Sequence, residues 1–175
     1  MTLLDRITLV VTFLISITNL LILTKLINKK EAAFKPADSG LKVGSKAPAI
    51  IGTGFNGESI ELAQMKSNKF VYWTSTKCGF CIEQGKDHAD KLKAIKEKGY
   101  DILVIVIGSN PEEASSFCED QNLIKFNSMY YLQNKVNYME LYKVRFVPSF
   151  TVISFEENII QTGFAMESDE NWMKY

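Results

Sequence analysis

Two cysteines, Cys78 and Cys81, stand three positions apart in the run Thr76-Lys77-Cys78-Gly79-Phe80-Cys81. Two residues between thiols allow a small disulfide ring to close without breaking a helix, so the pair can accept and return two electrons. The run begins where an aromatic and β-branched segment, Phe70-Val71-Tyr72-Trp73, gives way to a helical period. The thiolate is the nucleophile in disulfide chemistry, and a helix start favours that anion through its unpaired N–H groups and positive dipole end. Cys78 is therefore expected to be the exposed attacking thiol. Cys81, one turn further in, is expected to resolve a mixed disulfide by intramolecular attack. Lys77 adds a positive charge beside them.

A metal clip is the competing chemistry. Zinc held by a Cys-x-x-Cys normally needs a second pair of ligands, and the remaining candidates are Cys118 and the sole histidine, His88. His88 lies seven residues beyond Cys81, about two turns along the helix, too far to close on one ion with both cysteines. No metal and no cofactor is assigned. Cys118 reads as a small buried hydrophobe on a second helix. His88, on a helix rich in lysine and aspartate, reads as a solvated or partly packed residue.

A second signal lies in Arg145-Phe146-Val147-Pro148-Ser149-Phe150. Proline has no N–H to give a sheet and sits only at an edge or an entry position. Here it directly precedes an apolar strand, some seventy residues after the cysteines, and a cis Val147–Pro148 bond is expected.

Several elements must position these groups. Lys46 to Ile51 is extended, with a turn in Gly52-Thr53-Gly54 and Asn56-Gly57, and Ser59 to Leu62 alternates as a half-buried strand. After the buried strand at Phe70–Trp73, the spacing of Ile82, Gly85, Ala89, Leu92 and Ile95 predicts the inner face of one helix ending at Gly99. Ile102 to Ile107 is an unbroken apolar run, typical of a parallel strand covered on both faces. Asn110-Pro111-Glu112-Glu113 supplies a cap, a proline at the first helical position and acids in the first turn. A short helix over Val136–Tyr142 and a hairpin of Phe150–Phe155 with Ile159–Phe164 follow. The order predicts an α/β sandwich with a mixed sheet.

With these pieces in place, Val43 to Gly163 resembles the thioredoxin superfamily, specifically its membrane-anchored TlpA/ResA-type, MauD-like branch. The matching residues are Val43-Gly44-Ser45-Lys46-Ala47-Pro48, Cys78 to Cys81, Tyr142-Lys143-Val144-Arg145-Phe146-Val147-Pro148-Ser149, and Gly163. The resemblance implies a thioredoxin-like three-layer sandwich and thiol–disulfide exchange. It implies that Pro148 is cis beside the cysteines, that Val147 pairs with an extended substrate by strand addition, and that Gly79 and Phe80 belong to the same substrate-binding surface. Its partners would be protein thiol or disulfide clients and a redox protein that supplies or accepts electrons, with reductase and disulfide-forming oxidase both open. This chain departs from the branch in four places. Lys77 replaces the tryptophan common before the first cysteine, and no Asp or Glu is at hand to accept a proton from Cys81. Glu83 is expected to face solvent. No proline interrupts the first helix, and only Glu167–Tyr175 remain for a C-terminal helix.

Lysine plus arginine and aspartate plus glutamate are each 20. A balanced chain lacks the basic excess that nucleic acid demands, so no nucleic-acid partner is expected. Ile7 to Thr24 holds 18 uncharged residues, at the short end of a bilayer span. Arg6 and Lys25 can snorkel from either end. A cleaved signal peptide would have a shorter apolar core and small residues at a cleavage site, whereas Ala32-Ala33 lie beyond a charged run. The reading is one N-terminal anchor over residues 1–27, with membrane contact through 3–27, a linker over 28–41 and a redox domain over 42–175. Lysines after the span would place the domain in the cytoplasm by the positive-inside rule. The resemblance places it outside, and localisation is accordingly expected at the cell membrane, single-pass, with the domain extracytoplasmic. Two rival functions use the same fold: a non-catalytic membrane-anchored client-binding module, and a thiol peroxidase.

Overall fold

Lys69–Ser75 (β3) and Asp101–Ile107 (β4) are buried along nearly their whole length and pair in parallel as the centre of the sheet. Their β-branched and aromatic composition suits a pleated surface packed on both sides. In the computed structural model, which describes residues 12, 13, 15–22, 24, 25 and 39–165, these strands organise everything around the cysteines. Asn127–Tyr130 (β5) adds in parallel outside β4. Ser149–Ile153 (β6) pairs antiparallel with the other side of β3, and Ile159–Phe164 (β7) closes that edge. The five-stranded order is β5-β4-β3-β6-β7, a mixed sheet. A separate hairpin, Ile51–Thr53 (β1) with Ser59–Glu61 (β2), precedes it.

Alternation along β3 sorts the core into two halves. Phe70 and Tyr72 pack with Ala89, Leu92 and Ile95 of the long helix and with Ala114, Phe117 and Cys118 of the next one. Val71 and Trp73 face the opposite way, into a cluster with Ile50, Ile60, Tyr138 and Tyr142. There Trp73 Nε1 donates to Thr151 Oγ1 at 3.1 Å and Tyr142 Oη donates to Pro48 O at 2.6 Å, so both amphipathic rings have their polar ends satisfied.

The first helix is not continuous. Gly79–Glu83 (α1) stops at Gln84, whose backbone (φ −102, ψ 2) leaves helical geometry, and Gly85–Glu97 (α2) resumes. A Cβ on Gly85 would lie 2.3 Å from Gln121 Oε1, so a side chain from the neighbouring helix fills the space at the break. One expected inner residue changes sides: Ile82 is 49% exposed. The inner stripe runs instead through Cys81, Gly85, His88, Ala89, Leu92 and Ile95, and His88 is fully buried where solvation or partial packing was expected.

Pro111–Asp120 (α3) starts as its sequence dictates, with Asn110 Oδ1 accepting from Glu113 N at 2.8 Å. Tyr138–Leu141 (α4) is shorter than the expected Val136–Tyr142 because Asn137 is its cap, accepting from Glu140 N at 3.2 Å. Gly52 and Thr53, expected in a turn, belong to β1. A Cβ on Gly52 would lie 2.7 Å from Met129 Cε, so the Met129 side chain packs close over that strand. The bend falls instead on 54–58, where Gly57 has φ +80.

Contacts divide the chain into two units, residues 1–37 and 38–175. In the first, the described residues between 12 and 25 are helical, and Phe13, Ile15, Leu20, Leu21 and Ile22 are exposed. Ser16 Oγ donates to Thr12 O, and Thr24 Oγ1 to Leu20 O, each at 3.0 Å. Among the described residues, no helix is long and apolar enough to cross a membrane. The expected span over residues 3–27 and the linker over 28–41 both reach outside the described residues, and the expected curtailment of a C-terminal helix, over Glu167–Tyr175, lies wholly outside them.

Candidate active site

β3 ends at Ser75, and the chain turns through Thr76 and Lys77 into α1. Cys78 is the N-cap of α1, with extended backbone (φ −93, ψ 114), and its sulfur accepts the N–H of Cys81 at 3.2 Å. A cysteine thus does what serine or aspartate does at an ordinary helix start, and the two residues are held sulfur to backbone one turn apart. Both are thiols, Cys78 partly exposed and Cys81 fully buried.

Across from them the chain enters β6. The Val147–Pro148 bond is cis, and Cys78 Sγ donates to Val147 O at 3.5 Å. Pro148 is buried and Val147 half-buried. The structure therefore brings Cys78 and Cys81, at the start of α1, together with Val147 and Pro148, at the entry to β6. Gly79 is exposed with open space where a Cβ would be, and Phe80 is 53% exposed. Phe146, 52% exposed and leaning on Phe164 with ring centroids 5.8 Å apart, adds a second apolar surface next to Val147.

Charge around the pair comes from unexpected residues. Burial pushes the Cys81 thiol up to about 12, reinforced by its hydrogen bond with Cys78; the Thr74 hydroxyl and the Ser75 backbone act the other way. Lys77 is exposed, and Glu113 lies within its field. The Glu113 carboxyl accepts from Thr76 Oγ1 at 2.7 Å and from Ser109 N at 2.9 Å, and these bonds hold it below the usual carboxylate range. Glu83 is exposed, as expected.

His88, expected as a solvated or partly packed residue, is instead fully buried against Tyr72. Tyr72 Oη is 2.6 Å from His88 Nδ1, with the rings edge to face at 82°. Burial raises the Tyr72 phenol well above its ordinary value, and the charge of Cys81 raises it further. Burial, then the charge of Lys91, lowers His88 to about 4, with Asp87 opposing. The signal was present: His88 is seven residues from Cys81, on the same helical face. Cys118 is fully buried, and its thiol too is pushed up to about 12 by burial. Among the described residues no group of three or more potential metal ligands gathers.

Known proteins agree with this geometry. Residues 42–170 match the Redoxin family. The thioredoxin domain of a thiol-disulfide oxidoreductase from Bacteroides vulgatus superposes with a TM-score of 0.60 at 22% identity, over 70% of this chain and 88% of that one. A thiol:disulfide interchange protein from a Bacteroides species does so with a TM-score of 0.59 at 23% identity, over 70% and 81%. No curated protein sequence matches the chain. Likenesses at that identity show the fold, a thioredoxin-like α/β fold with a mixed sheet. The family match covers most of the chain and includes the cysteine pair, so the chain belongs to the Redoxin family as a thiol–disulfide oxidoreductase with a Cys-x-x-Cys pair.

Proposed function

We propose that the protein exchanges disulfides with protein thiols at the outer face of a membrane, held there by its N-terminal segment, with Cys78 attacking and Cys81 resolving. The observation that carries this reading is the asymmetry of the pair. Cys78 is partly open to solvent beside Val147 O, while Cys81 is sealed beneath it with its N–H on the Cys78 sulfur. An incoming disulfide can reach only Cys78. When the Cys78 sulfur attacks, a bond forms from it to one client sulfur, the client disulfide breaks, and the other client sulfur leaves as thiolate. Cys81 then bonds to Cys78, the second client sulfur departs, and two electrons have passed to the client. The reverse sequence oxidises a client dithiol by the same steps.

Phe80, two residues past Cys78, and Phe146, next to Val147, both expose apolar surface, and the Val147 backbone stands at the entry of β6 where an extended client segment can lie. The anchor reading is supported by the exposed apolar side chains of Phe13, Ile15, Ile17, Leu20, Leu21 and Ile22. The Ser16 and Thr24 hydroxyls are turned back onto their own helix, which is how such groups are satisfied away from water.

The test is insulin reduction by the full chain beside Cys78→Ser and Cys81→Ser. Cys78→Ser is expected to lose turnover, and Cys81→Ser to accumulate a mixed disulfide visible on a non-reducing gel. Equal activity in all three would sink the exchange mechanism and leave a client-binding module. The anchor is checked on its own: membranes washed with alkaline carbonate should retain the chain, and protease added outside intact cells should digest the domain. Release by carbonate, or protection from protease, counts against that placement.

A further inference from the structure

The loop that joins α4 to β6, residues 142–148, carries Val147 and holds no helix or strand of its own. Its first residues are tied to α4: Lys143 N donates to Glu140 O at 3.0 Å and Val144 N to Met139 O at 2.8 Å. The next ties come from far away in the chain. Gly40 N donates to Lys143 O at 2.9 Å, and Arg145 N donates to Ser39 Oγ at 3.3 Å. These two bonds fall on either side of Val144, shortly before Val147. Lys143 itself has φ +55, a left-handed conformation that a lysine keeps only where its neighbours hold it there.

From Ser39 to Ala47 the chain runs on as a strap. Gly44 N donates to Ile159 O, Ile159 N to Ser45 O and Ala47 N to Glu157 O, each at 2.8 Å, which fixes its far end to β7 and the turn before it. Between the two ends, Leu41 packs into the half of the core that also takes Met139, Val144 and Val147. Gly40 sets the path: its φ is +95, and a Cβ there would lie 2.7 Å from Thr162 Cβ on β7. A segment that only covered the sheet edge would be complete with its bonds to β7; the bonds to Lys143 and Arg145 go beyond that. We propose that Ser39 and Gly40 are positioning residues for client binding, clamping Lys143 and Arg145 and so setting the Val147 backbone on which an extended client segment lies.

The inference rests on the exchange reading above, in which protein clients lie along Val147. Neither Ser39 nor Gly40 touches the client or a sulfur. The Cys78 sulfur has its own anchor in the Cys81 N–H at 3.2 Å, which the strap does not reach. The bond from Cys78 Sγ to Val147 O is long, at 3.5 Å, and the attacking thiolate has no proton to give it. A small disulfide, with no extended segment to lay down, meets Cys78 without using Val147. A protein client needs both. The clamp therefore acts on affinity for protein clients, while the start of α1 sets the reactivity of the thiol.

The test compares the full chain in detergent with Ser39→Ala, Ser39→Thr and Gly40→Ala. Insulin, with dithiothreitol as electron donor, serves as the protein client, and 5,5′-dithiobis(2-nitrobenzoate) as the small disulfide. Ser39→Ala removes the acceptor for Arg145 N, and Gly40→Ala forces the strap off Thr162 and out of its left-handed turn. Each should raise KM for insulin about fivefold, the worth of one hydrogen bond, with kcat retained. Ser39→Thr keeps the hydroxyl and should keep the parental KM. Release of the first nitrothiobenzoate, timed by stopped flow, should stay at the parental rate in all three. A role in stability alone would lower the urea midpoint and leave the KM of the folded protein where it was. If Gly40→Ala does not fold, Ser39→Ala, a change of one oxygen, decides by itself. A parental KM in Ser39→Ala would overturn the clamp, as would a first release that falls in step with kcat/KM for insulin. A parent that attacks the small disulfide but never reduces insulin would overturn the exchange reading itself, a distinguishable failure.

Discussion

Cys81 and Cys118 are the same residue type, equally sealed from solvent, with thiols pushed to the same region by the same cause. Only position separates them. Cys81 stands one turn inside a helix whose N-cap is another cysteine, so its sulfur has a partner to attack; Cys118 sits in the last turn of α3 beside the Ser128 hydroxyl. Burial alone makes a thiol inert, and what makes Cys81 useful is the Cys78 sulfur, held by the Cys81 N–H at 3.2 Å. His88 is the same case turned around. Its buried imidazole is held neutral, a condition that is costly in acid.

At the scale of elements, the loop after β3 and the start of α3 are stitched by Glu113, which accepts from Thr76 Oγ1 and Ser109 N. Its carboxyl is held below the usual range, so the folded state binds that proton less readily than the unfolded chain does. The resulting stability is present above the ordinary value of 4.5 and is lost as pH falls through the lower folded value. Glu113→Gln should therefore shrink the drop in urea midpoint between about pH 6 and about pH 3.5 relative to the parent; an unchanged drop would remove Glu113 from the account. Asn110-Pro111-Glu112-Glu113 announced this helix start plainly, as Cys78 to Cys81 and Val147-Pro148 announced the site, because caps, spacings and prolines are local signals. What escaped was set by distant packing. The strand β5 begins with Asn127-Ser128, which reads as loop, and Ser128 is tolerated inside only because its hydroxyl donates to Leu123 O and Phe126 O. The break at Gln84 owes its shape to Gln121, 37 positions away, and it is this break that turned Ile82 outward.

For the whole molecule, the buried imidazole leaves a signature in acid stability. His88 is the only histidine in the sequence. Unfolded, it titrates near 6.5, while in the fold it is lowered to about 4, so below 6.5 the unfolded chain gains a proton that the folded one refuses. Stability contributed by the neutral imidazole is thus complete above 6.5 and erodes down to about 4, with a limiting slope of about 1.4 kcal/mol per pH unit. The lowered carboxyls Glu113 and Glu156 act only below 4.5, so among the described residues with shifted groups the window between 6.5 and 4.5 belongs to His88. Denaturant unfolding of the full chain in detergent, measured at half-unit intervals across that window, should show the parent weakening and His88→Gln staying level. A parental slope in His88→Gln would mean that a group other than His88 carries the window. A level parent would mean that His88 titrates alike in the folded and unfolded chain.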